Sequence, residues 1–307
     1  MPSSLGNNII VLNSSHATSN KSVFFYPFIQ GSYTITEGSI ISVREVTIPY
    51  SWFNISQTFY NNNVFSYTWV DGTIYTVTLL DGFYTTQDIN HALENSFLDN
   101  GLYLIDAGGQ NVYYIQVYTD ITLYANQFLF YVVPLSLPVG FTAPATLNPN
   151  FYSVGTPITP QINISSTNTF GSILGFSAGS YPSPASTVDV GVLSNIIPNA
   201  TPVNSIIMRC NLVSNNISFP TDILDSFTFQ NVSFGANGLF EPKFPADISL
   251  KAGKYNGLSI EFVDQNFNSI PIRDVNVTIT LLININKPDL PTRDSVQQSN
   301  LFRNNHF

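Results

Sequence analysis

The chain has 307 residues, enough for one large or two ordinary domains. It is 44% hydrophobic and 14% aromatic, so it can bury a core, yet only 9% charged, far below the usual quarter. A net charge of −9 argues against nucleic acid as the main partner, because neutralising phosphates needs clustered Lys and Arg.

Charge is also unevenly placed. No Lys or Arg occurs between Glu45 and Met208, a stretch dense in Tyr, Phe, Asn, Thr and Ser that keeps several carboxylates. Eight basic residues follow Met208 (Arg209, Lys243, Lys251, Lys254, Arg273, Lys287, Arg293, Arg303), spread out with no basic arm. A surface of uncharged polar groups suits contact with other copies of the same chain, where each unpaired buried charge costs several kcal/mol. The opening Met1-Pro2-Ser3-Ser4-Leu5-Gly6 has neither a basic start nor an apolar run, so no secretory signal is expected. No apolar stretch reaches the ~20 residues of a membrane helix.

The dominant period is two. In chain order the strand candidates are Ile9–Leu12, Ser22–Ile29, Ser39–Ile48, Val203–Val213, Ile223–Gln230, Asp247–Leu250, Gly257–Val263 and Val275–Ile285. In the last, Val277, Ile279, Leu281, Ile283 and Ile285 share one face, and Thr278, Thr280 and Asn284 the other. Asp264-Gln265-Asn266-Phe267-Asn268 is turn chemistry, so Gly257–Val263 and Val275–Ile285 are expected to form an antiparallel pair. The lone cysteine, Cys210, falls on the face of Ile206, Met208 and Leu212 and is expected to be a buried structural thiol.

Eight such strands in two groups, 9–50 and 203–285, suit a single jelly-roll β-sandwich, mainly β in class. The first group supplies strands B to D and the second E to I. Residues 57–190 are then an insertion between D and E, projecting from one pole. The expected divisions are 1–56, 57–190, 191–286 and a tail over 287–307.

Within the insertion, Phe65, Tyr67 and Trp69 alternate, Asp71-Gly72 turns, and Tyr75, Val77 and Leu79 return as a hairpin. One helix follows, capped by Thr85 or Thr86, with Asp88 in its first turn, a stripe of Ile89, Ala92, Leu93 and Phe97, and a stop at Asn100-Gly101. Strands Asn111–Tyr118 and Ile121–Val133 complete a small α+β subdomain, and the Pro-rich residues 134–160 form a loop. In the tail, Leu301, Phe302 and Phe307 read as an arm contacting a neighbouring subunit, since exposed aromatics in a tail usually meet a receiver.

Catalytic chemistry finds little support. His16, His91 and His306 show no metal-ligand spacing, and Gly171-Ser172-Ile173-Leu174-Gly175 is not a nucleophile elbow. Asp71 and Asp81 precede Gly and belong to turns; Asp222 and Asp225 are expected to cap a short turn; Asp106-Ala107-Gly108-Gly109 is a hairpin connection, and Asp120 is isolated. No catalytic, cofactor or metal residues are assigned, and a carboxylate-pair glycosidase is the weakest reading.

Five segments, in this order and spacing, carry a resemblance: Pro49-Tyr50-Ser51-Trp52-Phe53-Asn54-Ile55-Ser56, Asn61-Asn62-Asn63-Val64-Phe65-Ser66-Tyr67, Asp81-Gly82-Phe83-Tyr84-Thr85, Ile173-Leu174-Gly175-Phe176-Ser177-Ala178-Gly179-Ser180-Tyr181-Pro182, and Phe262-Val263-Asp264-Gln265-Asn266-Phe267-Asn268-Ser269-Ile270. The chain resembles the penton, or minor capsid, proteins of virophages and polinton (Maverick) elements, mavirus-type virophages above all, over about residues 9–285. The resemblance implies a jelly roll with an inserted domain, assembled as a homopentamer at the fivefold vertices of an icosahedral virion built in the host-cell cytoplasm. It implies a double jelly-roll major capsid protein as partner, and no enzymatic residues. An alternative reading is a fibre-type protein whose insertion recognises host-surface glycans.

Overall fold

Period-two alternation is realised as twenty strands in the computed structural model, which describes residues 6–229 and 231–286. Contacts divide the chain into two units, one made of the residues up to Trp52 and from Val203 onward, the other of Phe53–Pro202.

The first unit opens with β1 (Gly6–Leu12), a 3-10 turn at Ser14–His16, β2 (Val23–Pro27), β3 (Tyr33–Ile35) and β4 (Ile40–Pro49). The second unit holds α1 (Gln57–Tyr60), β5 (Val64–Thr68), β6 (Ile74–Thr78), α2 (Thr86–Asn100), β7 (Leu104–Ile105), β8 (Asn111–Val112), β9 (Ile115–Asp120), β10 (Ala125–Phe130), β11 (Gln161–Ile164), α3 (Phe170–Leu174), β12 (Gly179–Tyr181) and β13 (Val190–Leu193). The chain then re-enters the first unit with β14 (Ile206–Cys210), β15 (Ile223–Phe227), β16 (Asn237–Phe240), β17 (Ile248–Ser249), β18 (Gly253–Tyr255), β19 (Gly257–Val263) and β20 (Thr278–Ile285).

In the first unit one sheet runs β1-β20-β4-β16, with β17 also on β4, and the other runs β15-β14-β19-β2. Lettering the eight principal strands along the chain, β1, β2, β4, β14, β15, β16, β19 and β20 become B to I. The sheets then read B-I-D-G and F-E-H-C, all pairs antiparallel. This is a single jelly roll. Its core lies between the sheets: Leu12, Ile41, Val43, Val46, Ile279, Leu281 and Ile283 from one, Phe24, Met208, Ile260 and Phe262 from the other, all buried.

Two expectations change in this unit. Strands β19 and β20 do not pair; they lie in different sheets. Asp264 Oδ1 accepts from the backbone N–H of Asn266 (2.8 Å) and Asn268 (2.9 Å), and this turn brings Ser269 back only as far as Val263. The chain then crosses to the opposite sheet with Ile270 and Ile272 buried. Strand G is Asn237–Phe240 and resumes as Ile248–Ser249. Between Phe240↔Val46 and Ile248↔Ile41 the G side uses three residues more than β4. Pro242 and Pro245 lie in that excursion and cannot donate to a ladder. Opposite it, β4 bulges between its pairs with Thr280 and Leu281, leaving Arg44 exposed.

The second unit is built round the hairpin β5–β6, in a sheet ordered β12-β11-β5-β6, beside a sheet β13-β10-β9 and the short pair β7-β8. Helix α2 takes the first of the two threonines expected to cap it. Thr85 and Asp88 form a reciprocal capping box, and Gly101 ends the helix at φ 65°, a left-handed conformation suited to glycine. Buried Ile89, Leu93 and Phe97 pack among Tyr67, Trp69, Phe128, Phe151 and Phe170. Trp69 satisfies its indole by donating Nε1–H to Phe151 O at 2.9 Å. The unit is richer than the two hairpins and one helix expected: β11, α3, β12 and β13 come from 161–193, and 111–118 breaks into β8 and β9. Among the described residues no helix is long and apolar enough to cross a membrane.

Candidate subunit-interface surfaces

The carboxylates singled out above serve turns and ion pairs. Asp71 accepts from Thr73 N (2.9 Å) and Thr73 Oγ1 (2.8 Å), closing the β5–β6 turn. Asp81 accepts from Ser56 Oγ and Gln57 N, both at 2.8 Å, at the start of α1. Asp106 Oδ1 accepts from Gly108 N and Gln110 N, both at 2.8 Å, between the paired strands β7 and β8. Asp120 caps the turn into β10.

The expected turn cap at Asp222 and Asp225 is not what forms. Asp222 receives a two-pronged contact from Arg209, Nη2 to Oδ2 at 2.9 Å and Nε to Oδ1 at 3.1 Å. Arg209 Nη1 also reaches Glu261 Oε2 at 3.2 Å, since Arg209 and Glu261 are register partners on β14 and β19. Asp225 lies within β15, half-buried, where burial raises its carboxyl pKa. One guanidinium thus balances two carboxylates on the outer face of the F-E-H-C sheet, a structural ion pair. Glu261 could have been found from its outward position beside the outward Arg209 in strands of matching period; the pairing itself is long-range.

Cys210 is buried, and burial pushes its thiol up to about 12, away from nucleophilic use. His16 Nδ1 accepts from Asn13 N at 3.1 Å and its ring stacks on Tyr26. His91 is exposed, 3.0 Å from Glu94. No group of three or more His, Cys, Asp or Glu suited to a metal ion occurs among the described residues. His306 and the arm residues Leu301, Phe302 and Phe307 lie outside the described residues.

What the first unit does offer is a sheet face nearly free of charge. On the outer side of B-I-D-G, Ile9 sits across from Leu282 and Ser42, Val11 from Thr280 and Glu45, and Leu239 from Thr47 and Thr278. Ile9 is 70% exposed, Leu239 60% and Val11 45%. Arg44 and Glu45 are the charged residues of this face in the described strands. Its two edges, β1 and β16, carry the most exposed of these apolar side chains, where an unpaired edge most needs cover. An apolar groove of about 290 Å³ adjoins β1, lined by Ile9, Tyr26, Phe28, Ile29, Tyr33 and Ile285 among others.

The second unit differs in electrostatics. Of the chain's nineteen acidic residues eight lie in Phe53–Pro202, and all ten Lys and Arg lie elsewhere, so this unit holds eight of the nine net negative charges. A polar groove of about 590 Å³ runs between β6 and α2.

No protein-family model matches the chain, and no curated protein sequence does. Among solved structures it is similar to the selenomethionine-labelled mavirus penton protein, with 12% identity, TM-score 0.41, and cover of 92% of this chain and 99% of the other. It is also similar to a chain of the Sputnik virophage solved by cryo-EM, with 15% identity, TM-score 0.35, and cover of 94% and 99%.

Proposed function

We propose that this chain is a structural capsid protein, a penton that forms homopentamers at the fivefold vertices of an icosahedral virion. The observation that carries the reading is a single jelly roll whose B-I-D-G sheet leaves an almost uncharged, partly apolar outer face. A cyclic ring uses head-to-tail contacts between two different patches of the same subunit, and such contacts favour patches low in charge. The ordered motifs that resemble virophage and polinton pentons support the same assignment.

In this reading the B-I-D-G face packs on the flank of the next subunit, and the ring seats in a shell of double jelly-roll major capsid proteins. Assembly takes place in the host-cell cytoplasm, in a virus factory. The segment with Leu301, Phe302 and Phe307 is an arm reaching a neighbour, and the second unit is the part that meets a host-surface receptor. No catalytic role is assigned.

The test is the mass of the purified protein by light scattering, alone and with the major capsid protein. A species of about 170 kDa, five copies of 33.9 kDa, is expected. A trimer or dimer as the sole assembly in both conditions would overturn the proposal.

A further inference from the structure

Strand β6 is the free edge of its sheet: the order is β12-β11-β5-β6, and nothing pairs beyond it among the described residues. Which backbone groups face outward follows from the register. Leu79 N donates to Asn63 O and Trp69 N to Thr73 O, each at 2.8 Å, so residues 73, 75, 77 and 79 turn their amides toward β5. Ile74, Thr76 and Thr78 therefore direct N–H and C=O to the open side. Their side chains are exposed on the solvent face, while Val77 and Leu79 are buried on the other.

This edge is open in a particular place. Helix α2 runs alongside, and the groove of about 590 Å³ between them has one wall from Thr76 and Thr78 and the other from Asp88, His91, Asn95 and Asp99. Those four helix residues recur at spacings of three and four, so they form one stripe, distinct from the buried stripe of Ile89, Leu93 and Phe97. A free edge beside a helix stripe accepts an extended segment as an additional strand: main-chain hydrogen bonds hold it, and alternate side chains meet the helix. The helix wall carries two carboxylates and no cation, in a unit with no Lys or Arg at all.

We propose that the β6–α2 groove binds an extended peptide strand of a partner protein, with lysine or arginine at the alternate positions that face Asp88 and Asp99. Charge complementarity selects the occupant, and the outward amides of Thr76 and Thr78 set its direction and register. The inference does not depend on the ring, because every residue named belongs to the second unit.

The test uses full-length protein and a short fluorescent peptide alternating lysine with threonine, titrated by anisotropy. Three controls accompany it: the glutamate counterpart, the lysine peptide N-methylated on alternate amides, and a neutral oligosaccharide array. Saturable binding is expected for the lysine peptide alone, with N-methylation weakening it at least about tenfold, because charge is kept while strand pairing is lost. Thr78→Pro removes an outward N–H without touching the β5–β6 ladder, and should weaken binding about tenfold or more with the circular dichroism melt retained. Asp99→Lys, at an exposed helix position, should weaken it about fivefold or more even if the proline variant misfolds. Equal binding of the parent and N-methylated peptides would overturn the proposal. So would indifference to Asp99→Lys, or oligosaccharide binding with no peptide binding at millimolar concentration.

Discussion

If the outer face of the B-I-D-G sheet is buried between subunits, placing carboxylates on it should dissolve the assembly while leaving the subunit folded. Ile9→Asp with Leu239→Asp is the sharpest form of this perturbation. Ile9 is 70% and Leu239 60% exposed, so covering both stabilises each contact by about 2–4 kcal/mol, taking 1.5–3 kcal/mol for complete burial of such a side chain. The variant loses that term and adds two desolvated carboxylates, at several kcal/mol each where no cation answers them. At 1.4 kcal/mol per factor of ten, each contact weakens by at least roughly a thousandfold, repeated at every contact round a ring. Inside the subunit the cost is small. Ile9 meets Leu282 and Leu239 meets Thr47 across strands, pairs worth about 0.2–1 kcal/mol each, or a few degrees in melting temperature. Light scattering across a concentration series, beside a thermal melt of the same sample, reads both quantities. Rings that persist in the double variant at wild-type concentrations would refute this placement of the contact.

Three further outcomes are expected. Burial raises the Asp225 carboxyl pKa above its unfolded value, so at neutral pH the charged form costs the folded state stability. Asp225→Asn should therefore raise the urea midpoint at pH 7, and the gain should vanish as pH falls below the ordinary aspartate range, where both states are protonated. Thr85 hydrogen bonds hold the Asp88 carboxyl below its ordinary value; that contribution is in place above the unfolded pKa and is lost as pH falls through the folded one. Thr85→Ala should cost the second unit about 1 kcal/mol at pH 7, followed by chemical denaturation, with the difference narrowing in acid. Cys210, its thiol raised to about 12 by burial, should resist a thiol reagent at pH 8 in the native protein and react at once in denaturant.

Local chemistry was legible wherever a residue's neighbours along the chain settle its role. A threonine cap at Thr85 or Thr86 with Asp88 in the first turn, the stop at Asn100-Gly101, the Asp71-Gly72 turn and the inward face of Cys210 all follow from spacing within a few residues; that Thr85 is the cap, in a reciprocal box with Asp88, comes from the structure. Elements without period or length were not legible. Strand β16 is Asn-Gly-Leu-Phe, with a glycine where a strand usually has a side chain to show. At Gly238 a Cβ would stand 2.4 Å from the Phe229 ring, so the glycine is there to let that ring approach. Strands β11 and β12 sit in Pro-rich and Ser-rich sequence and are held by partners about a hundred residues away or by a short return, as Ile162 is by Tyr67 and Tyr181.

The expected pairing of β19 with β20, which does not form, marks where alternation stops being informative. Alternation says which face of a strand is buried, and both strands have it: Leu258, Ile260 and Phe262 in one, Ile279, Leu281 and Ile283 in the other. In a sandwich, however, two successive strands can bury the same kind of face either side by side in one sheet or opposite each other across the core, and the period is identical in both cases. The choice rests on what connects them. A hairpin needs only the five-residue turn, whereas here the chain continues through buried Ile270 and Ile272 before β20 begins at Thr278. Those two apolar residues, beyond a turn that already closes at Asp264 and Asn268, are the local sign of a crossover. The same distinction decides the outer surface. Because β20 sits between β1 and β4, its alternate residues Thr278, Thr280 and Leu282 join Ile9, Val11 and Leu239 on the nearly uncharged face; paired with β19 they would have faced Glu261 and Arg209 instead.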